Sequence, residues 1–392
     1  MRAPMRQNGI SLSRQVVLFV IIRTLIHACY RMIYPYLAEF GGGVGADLNT
    51  LSKVLTARSL MGMGTMFLAP LADRRGRRFS MLLGVMVFVG GCGLIGAFSS
   101  LPAFVAGLMI TTLGNYVFVP AMQAYLGDRI PYEKRGFTLG LTELSWSFSY
   151  IIGVPLLGLL IVQIGWQSPF LVIGGLCAAG MLFLAKAQPA DSSQEGNPLL
   201  FWESIRVMFI SRRALTALTF SLMLTISNEV INLLFGVWLG DAFGLKIAAL
   251  GAASALVGFS ELGGEAATTL LTDRLGKKRA VTLGLGLNCI AVLSLPFLGQ
   301  MGVGGALAGL VLLYFSFEFC LVSYLPLMTE VAPGARATLM ATNMAAFSLG
   351  RAVGALAAPV LYAGGIGMSA GAALLINGVA FFVLARVKKA EN

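Results

Sequence analysis

Asp73-Arg74-Arg75-Gly76-Arg77-Arg78 and, two hundred positions later, Asp273-Arg274-Leu275-Gly276-Lys277-Lys278-Arg279 carry one pattern twice. Each string follows a long apolar run and precedes another, so the chain reads as two copies of one membrane-embedded unit. Of its 392 residues, 57% are hydrophobic and 11% charged, too few polar groups to wet a globule of this size. Apolar stretches of about twenty residues, long enough to cross a hydrocarbon core of about 30 Å as a helix, recur throughout. Twelve spans are expected, at roughly 15–38, 52–72, 80–99, 101–126, 137–161, 167–186, 214–239, 248–272, 280–299, 303–329, 337–363 and 366–385.

Arg2, Arg6 and Arg14 precede the first span, as in a signal peptide, but the span is too long and lacks a small-residue cleavage site. It is expected to remain in the mature protein. Of the 28 Lys and Arg residues, 22 fall in the N-terminal segment, the tail and the connections on the side of the two strings, with Lys186 at the end of the sixth span counted among them. Only Lys53 and Lys246 fall on the opposite side. Basic residues accumulate on the cytoplasmic face, so both termini are expected there, with a bacterial inner membrane as the location. The net charge of +11 is then a topology signal facing anionic lipid headgroups, and no nucleic-acid partner is expected. Cys29, Cys92, Cys177, Cys289 and Cys320 all fall inside expected spans, where they act as small apolar residues and form no disulfide.

The one break in composition runs from Ala187 to Arg213, where Pro189, Asp191, Ser192, Ser193, Gln194, Glu195, Gly196 and Asn197 form a polar linker. It divides the chain into an N-terminal six-helix bundle over 1–186, a central loop over 187–213 and a C-terminal six-helix bundle over 214–392. Leu199, Leu200, Trp202, Ile205, Met208 and Phe209 recur at helical spacing beside Glu203, Arg206 and Arg212, which predicts a helix lying on the membrane face or packing between the bundles.

Six plus six spans, a central loop and Asp-Arg-x-Gly followed by two basic residues after both the second and the eighth span resemble the major facilitator superfamily. Asp128-Arg129-Ile130-Pro131-Tyr132-Glu133-Lys134-Arg135-Gly136 is similar to its fourth-to-fifth loop, and Gly165-Trp166-Gln167-Ser168-Pro169-Phe170 to the start of its sixth helix. The implied fold is an all-α membrane protein with twelve transmembrane helices in two pseudo-symmetric six-helix bundles. The resemblance also implies that Asp73, Arg74, Gly76, Arg77, Asp128, Arg135, Asp273, Arg274 and Gly276 belong to a cytoplasmic gate that latches the outward-facing state. Physically, Gly76 and Gly276 permit a tight reversal. The aspartates can accept hydrogen bonds from a helix N-terminus or an arginine that form in one state and break in the other. Basic residues that merely enforce topology would look the same. Ala69 departs from the family, whose motif usually begins with glycine.

Gly153-Val154-Pro155-Leu156-Leu157-Gly158 resembles the Gly-Pro-rich antiporter motif of the drug:proton efflux branch, with Val154 inserted and Ser149 where the pattern starts with glycine. Its glycines allow close helix approach and Pro155 bends the backbone, as a hinge or a seal would require. Efflux members often carry an arginine in the fourth helix, yet Leu101 to Leu126 contains no Lys, Arg, His, Asp or Glu.

An ionisable group at mid-bilayer costs several kcal/mol and faces a cavity or a partner. Such groups are Arg23, His27 and Arg31 in the first span, Arg58 in the second and Glu143 in the fifth. In the second half they are Glu229 (beside Asn228) in the seventh, Glu261 and Glu265 in the eighth, Glu318 in the tenth and Arg351 in the eleventh. The third, sixth, ninth and twelfth spans carry none, and in the superfamily these are the outer supports. Arg23, His27 and Arg31 recur every four residues, which places them within about 80° on one helix face, with Tyr30 and Tyr34 alongside and Pro35 bending the outer end. His27, between two arginines, is a ligand or proton site if it is not structural.

Depth at about 1.5 Å per residue predicts partners: Arg23 with Glu143 at roughly 10–12 Å, Arg31 with Glu229 at roughly 22–24 Å, and Glu318 with Arg351 near the middle. Static pairs of this kind would stabilise one packing and carry no transport chemistry. Glu261 and Glu265 have no evident basic partner and are close enough to repel, so one of them is expected to hold a proton. A packing-driven cluster around Gly263 and Gly264 is the alternative.

With one histidine, no HExxH, no paired Cys set and no phosphate-binding loop, neither an enzyme nor ATP drive is expected. No metal or organic cofactor is expected, and the energy source is a proton gradient. Trp146, Tyr150, Phe235, Trp238, Tyr314 and Phe317 suit an amphipathic or lipophilic substrate. The expectation is a monomeric secondary transporter that exports such molecules by alternating access in exchange for protons. Arg23, Arg31, Arg58 and Arg351, if unpaired, would instead favour an anionic headgroup, as in a lysophospholipid or glycolipid flippase or an organic-anion transporter. A membrane sensor without transport is a further alternative.

Overall fold

The computed structural model describes residues 12–64, 76–130, 138, 140–187, 211–331 and 336–386. Asp73, Arg74, Arg135, Ala69 and the expected surface helix of the central loop lie outside the described residues. Among those described there is no strand, and apolar runs form α1 Leu12–Arg31, α2 Leu37–Val44, α3 Leu48–Met61, α4 Arg77–Ala97, α5 Leu101–Arg129, α6 Ser145–Phe148, α7 Val154–Ile164 and α8 Ser168–Ala187. The second half contributes α9 Arg212–Asn232, α10 Phe235–Phe243, α11 Ile247–Leu275, α12 Lys277–Gln300, α13 Val303–Met328, α14 Arg336–Tyr362 and α15 Ile366–Arg386.

Eleven helices among the described residues are long and apolar enough to cross a membrane. The remaining expected span, the second, starts as α3 and tightens into a 3-10 turn at Gly62–Gly64, and the rest of its expected range lies outside the described residues. The first span is longer than its composition suggested. It breaks before Pro35 and resumes as α2, and the seventh breaks in the same way between α9 and α10. In the fifth span, α6 and α7 are joined by a π-helical turn over Ser149–Gly153. Pro155, near the start of α7, has no N–H to give to the preceding turn, and the wider turn accommodates the loss.

The duplication is visible in backbone geometry. Gly45 and Gly244, Gly76 and Gly276, and Gly165 and Gly365 are 199 or 200 residues apart and all have positive φ. Gly76 (φ 87°) and Gly276 (φ 82°) make the reversal between spans in a conformation that side chains disfavour. Packing repeats as well. A Cβ on Gly84 would sit 2.6 Å from the backbone N of Phe118 in α5, and one on Gly284 would sit 2.8 Å from the Cα of Cys320 in α13. Small residues let these helices touch backbone to backbone, which is how helices associate where lipid removes the hydrophobic drive.

By contacts the chain forms two compact units. One comprises residues 1–30, 67–149 and 167–196, and the other 31–66, 150–166 and 197–392. In the first unit α4 packs on α5 and α8. In the second, α9 packs on α14 and α15, α11 on α7 and α13, and α3 on α14. A core of Phe220, Leu224, Leu285, Tyr324 and Leu339 lies among the helices of the second half. The cysteines are free.

Candidate transport site

At the end of each half that bears the repeated string, the two basic residues after the glycine are anchored inside their own half. Arg77 Nε donates to Asp128 Oδ2 at 3.4 Å, and Lys277 pairs in the same way with Glu330. Arg78 donates to the carbonyl of Ala185, and Lys278 to that of Ala385 at 3.1 Å. Each string thus ties the start of its third helix to the ends of the fourth and the sixth. Glu330 and Ala385 were not singled out in the sequence, although Glu330 precedes a proline by three residues, as Asp128 does. Asp273 and Arg274 are exposed.

In the first unit, Arg23 reaches across to α6's N-terminal approach. It makes the expected pair as a bidentate one, NH1 to Glu143 Oε1 at 2.8 Å and NH2 to Oε2 at 2.7 Å. Thr142 Oγ1 accepts a further bond at 3.2 Å, and Gln123 of α5 donates to Glu143 at 3.2 Å. The pair is asymmetric in access: the arginine side chain is 6% exposed and the glutamate 49%. One turn along α1, His27 Nδ1 lies 3.3 Å from Ser145 Oγ, and its ring meets Trp146 edge-on at 5.2 Å.

In the second unit the expected partners are exchanged. Arg31 pairs with Glu261 at 2.6 Å, both side chains 4% exposed, and its guanidinium stacks 3.4 Å above the Tyr150 ring. Glu229, expected opposite Arg31, accepts instead from Tyr34 Oη and Asn232 Nδ2, each at 3.0 Å. Glu261 therefore does have a basic partner. Depth along a helix selects the level of a charge but not the neighbour it faces, and at this level both α9 and α11 carry a carboxylate. A chain of polar contacts extends from Glu229: Arg58 donates to Tyr34 Oη at 3.3 Å, and Tyr314 donates to Asn232 Oδ1 at 2.8 Å.

Phe235 bridges the rings of Tyr150 and Tyr314 with centroids 6.4 and 6.1 Å away. Of the six aromatic residues expected to line a substrate path, Tyr150, Phe235, Trp238, Tyr314 and Phe317 are buried in this packing. Trp146 is partly exposed.

Glu318 is 7% exposed and makes no hydrogen bond or ion pair among the described residues, so the expected bridge to Arg351 is not formed. Its neighbours are Glu261 and half-buried Glu265, which flank Gly264, where a Cβ would sit 2.9 Å from that of Glu318. Arg351 lies one turn before Gly354, where α14 presses on the Glu229 side chain. The Asn228 amide oxygen is buried without a hydrogen-bond partner.

Gly153 ends the π turn, and Pro155 and Gly158 follow in α7. Tyr36 Oη donates to the Val154 carbonyl at 2.9 Å and lies against Gly158 and Gly251, while Pro35 lies against Gly236. Ser52 and Thr56 of α3 donate to the Ala355 and Ala352 carbonyls of α14 at 2.6 and 3.3 Å. Gln123, Thr142, Ser145 and Asn232 were missed in the sequence, since neutral polar residues give no signal until a charge is found beside them.

The sequence profile of the Major Facilitator Superfamily matches residues 19–355. This chain belongs to that superfamily. It is an integral membrane transporter, not an enzyme. It is 25% identical over 278 residues to the uncharacterized MFS-type transporter YwfA of Bacillus subtilis (strain 168), covering 68% of this chain and 66% of that one. It is 28% identical over 215 residues to the multidrug transporter MdfA of Yersinia pestis bv. Antiqua (strain Angola), covering 52% of each. The chain thus spans about two thirds of the first relative's length and about half of the second's. A solved bacterial homolog of the human lysosomal transporter Spinster, inward-facing and unoccupied, shares the fold with a TM-score of 0.78 at 15% identity over 96% of this chain and 97% of that one.

Proposed function

We propose that this transporter works by alternating access and exports small amphipathic molecules in exchange for protons, as a monomer in a bacterial inner membrane with both termini cytoplasmic. What carries the assignment is the state of the two first-span arginines. Arg23 and Arg31 each have a carboxylate partner, and in the pair that is open to solvent it is Glu143 that is exposed. An anionic headgroup needs guanidinium donors that are not already engaged. The pairing of Arg23 and Arg31 therefore speaks against the lysophospholipid, glycolipid and organic-anion alternatives, and the five intramembrane carboxylates favour a neutral or basic amphipath and a site for protons.

The remaining site residues divide the work. Asp73, Arg74, Gly76, Arg77, Asp128, Arg135, Asp273, Arg274 and Gly276 form the cytoplasmic gate, in which the intra-half ties of Arg77 and Lys277 hold each half rigid while Asp73 and Asp273 make the state-dependent contacts. At the other end, the contacts of Tyr36 with Gly251 and of Ser52 with Ala355 join the two sequence halves and are those that part when the outside opens. Similarity to MdfA, a multidrug transporter, supports the efflux direction.

Reconstitution tests the proposal. Proteoliposomes are loaded with a fluorescent amphipathic amine dye, or carry a fluorescent lysophospholipid in one leaflet, and flux is followed with and without a pH gradient. Uphill dye movement that collapses with the gradient is the expected result. Dye movement indifferent to the gradient would make the protein a uniporter, and movement of the lipid alone would make it a flippase.

A further inference from the structure

We infer that Glu318 is the group that carries the coupling proton and that it does so by competing with Glu261 for Arg31. The inference rests on the exchange proposed above and assigns the proton to a residue. Among the intramembrane carboxylates, Glu143 has Arg23 and Gln123, Glu261 has Arg31, Glu229 has Tyr34 and Asn232, and half-buried Glu265 is also partnered. Glu318, 7% exposed, has no hydrogen bond and no ion pair among the described residues. A carboxylate left in that condition costs several kcal/mol, and a proton removes the cost without any rearrangement.

The surroundings are acidic and within electrostatic reach of one another. The charged groups acting on Glu318 are Glu261 and Glu265 of α11, Arg31 of α1 and Arg351 of α14. The face of α12 against α13 adds no charged side chain between Arg279 and Gln300, only the thiol of Cys289. The close contact at Gly264 sets Glu318 beside the α11 carboxylates.

The step follows from these placements. With Glu318 protonated, Arg31 has one carboxylate to satisfy, Glu261, as observed. When Glu318 gives its proton to cavity water, a second carboxylate appears beside the same guanidinium, which has N–H groups enough for two acceptors. Arg31 then shifts toward Glu318 and loosens from Glu261 and from its stack on Tyr150. Because Arg31 and Glu261 link the first span to the eighth, the proton on the tenth span controls a contact between helices of the two sequence halves. Carrying the proton on Glu318 leaves Glu143 free to meet substrate.

Carbodiimide labelling tests this without any substrate, since dicyclohexylcarbodiimide modifies carboxyl groups that are protonated and in apolar surroundings. The purified full-length protein is treated across a pH series and the adduct is located by peptide mass spectrometry. The expected result is an adduct on Glu318 that fades as pH rises and is lost in E318Q but kept in E143Q. An adduct on Glu261 or Glu265 with none on Glu318 overturns the inference. E318Q, a near-isosteric mimic of the protonated state, is expected to lose gradient-driven uphill flux while keeping substrate exchange. If wild-type flux follows the gradient and E318Q follows it equally, the inference falls and the exchange proposal stands. If Glu318 labels as expected but wild-type flux ignores the gradient, the exchange proposal falls and the coupling role falls with it, leaving Glu318 as a site of protonation alone. Should E318Q fail to fold, the labelling pattern of the wild-type protein decides alone.

Discussion

Arg23–Glu143 and Arg31–Glu261 are ion pairs two turns apart on the first span, and they differ in what surrounds them. The first has one buried partner and one half-open partner, 6% against 49% exposed, with a threonine and a glutamine sharing the load. In the second both partners are 4% exposed and the guanidinium lies against an aromatic ring. Solvent can replace a lost partner at the first pair and cannot at the second. The first pair therefore suits contact with a passing molecule, and the second suits holding helices together until something inside the membrane displaces it.

The largest effect should come from breaking the closed pair. E261Q leaves the Arg31 guanidinium buried without its carboxylate and should cost about 3–5 kcal/mol, read as a lowered unfolding midpoint in detergent and as lost uphill flux. E261L together with R31M, which removes both charges, should restore much of the stability but not the flux, and failure of the double variant to recover would show that packing rather than charge holds the contact. Next comes Y34F. It removes the hydroxyl that donates to Glu229 and accepts from Arg58, and about 1–3 kcal/mol is expected for the buried groups left unsatisfied.

The open pair should respond less. E143Q keeps a hydrogen-bonding side chain that solvent can reach, so stability should fall by about 1 kcal/mol or less. Its flux should suffer in apparent substrate affinity more than in maximal rate, and the reverse would place Glu143 among the coupling groups. The smallest effect marks the exposed end of the same scale. Asp47 caps α3 by accepting from the Thr50 N–H at 2.9 Å, and hydrogen bonding by the Thr50 side chain, together with this backbone bond, holds its carboxyl below the usual carboxylate range. Since the folded form binds its proton less readily than the unfolded chain, the contribution of the cap is full at neutral pH and fades as pH falls through the lowered value. In D47N the cap persists without a charge, and that part of the acid sensitivity should disappear from the unfolding curve.

The fold was legible wherever a local requirement recurs. Gly76 and Gly276 announce the repeat because a reversal of that hand admits little else, and the apolar runs around them have the length of a membrane. The break after α1 was signalled by Pro35, whereas the matching break at Leu233 and Leu234 carries no mark in the sequence. At the site, Arg23 and Glu143 could be paired because each is a lone charge at one depth on its helix. Arg31 could not be assigned, since Glu229 and Glu261 compete at the same level and only the rotation of α9 and α11 decides between them. Tyr34 and Asn232 became readable only once the carboxylate they serve had been located. The outer aromatic residues looked like a substrate lining, but composition does not tell a ring that faces a path from one that closes it.

The π turn at Ser149–Gly153 is a phase adjustment. Fitting one more residue into a turn rotates everything beyond it by about 100° relative to a continuous α-helix. The two parts of the fifth span therefore make separate contacts, Glu143 and Trp146 with Arg23 and His27, Val154 and Gly158 with Tyr36. Removing a single residue from the turn would bring the helix into one register and swing the Gly158 face off Tyr36 with the Arg23 pair intact. Length, where side-chain chemistry cannot, separates the two contacts that this helix makes.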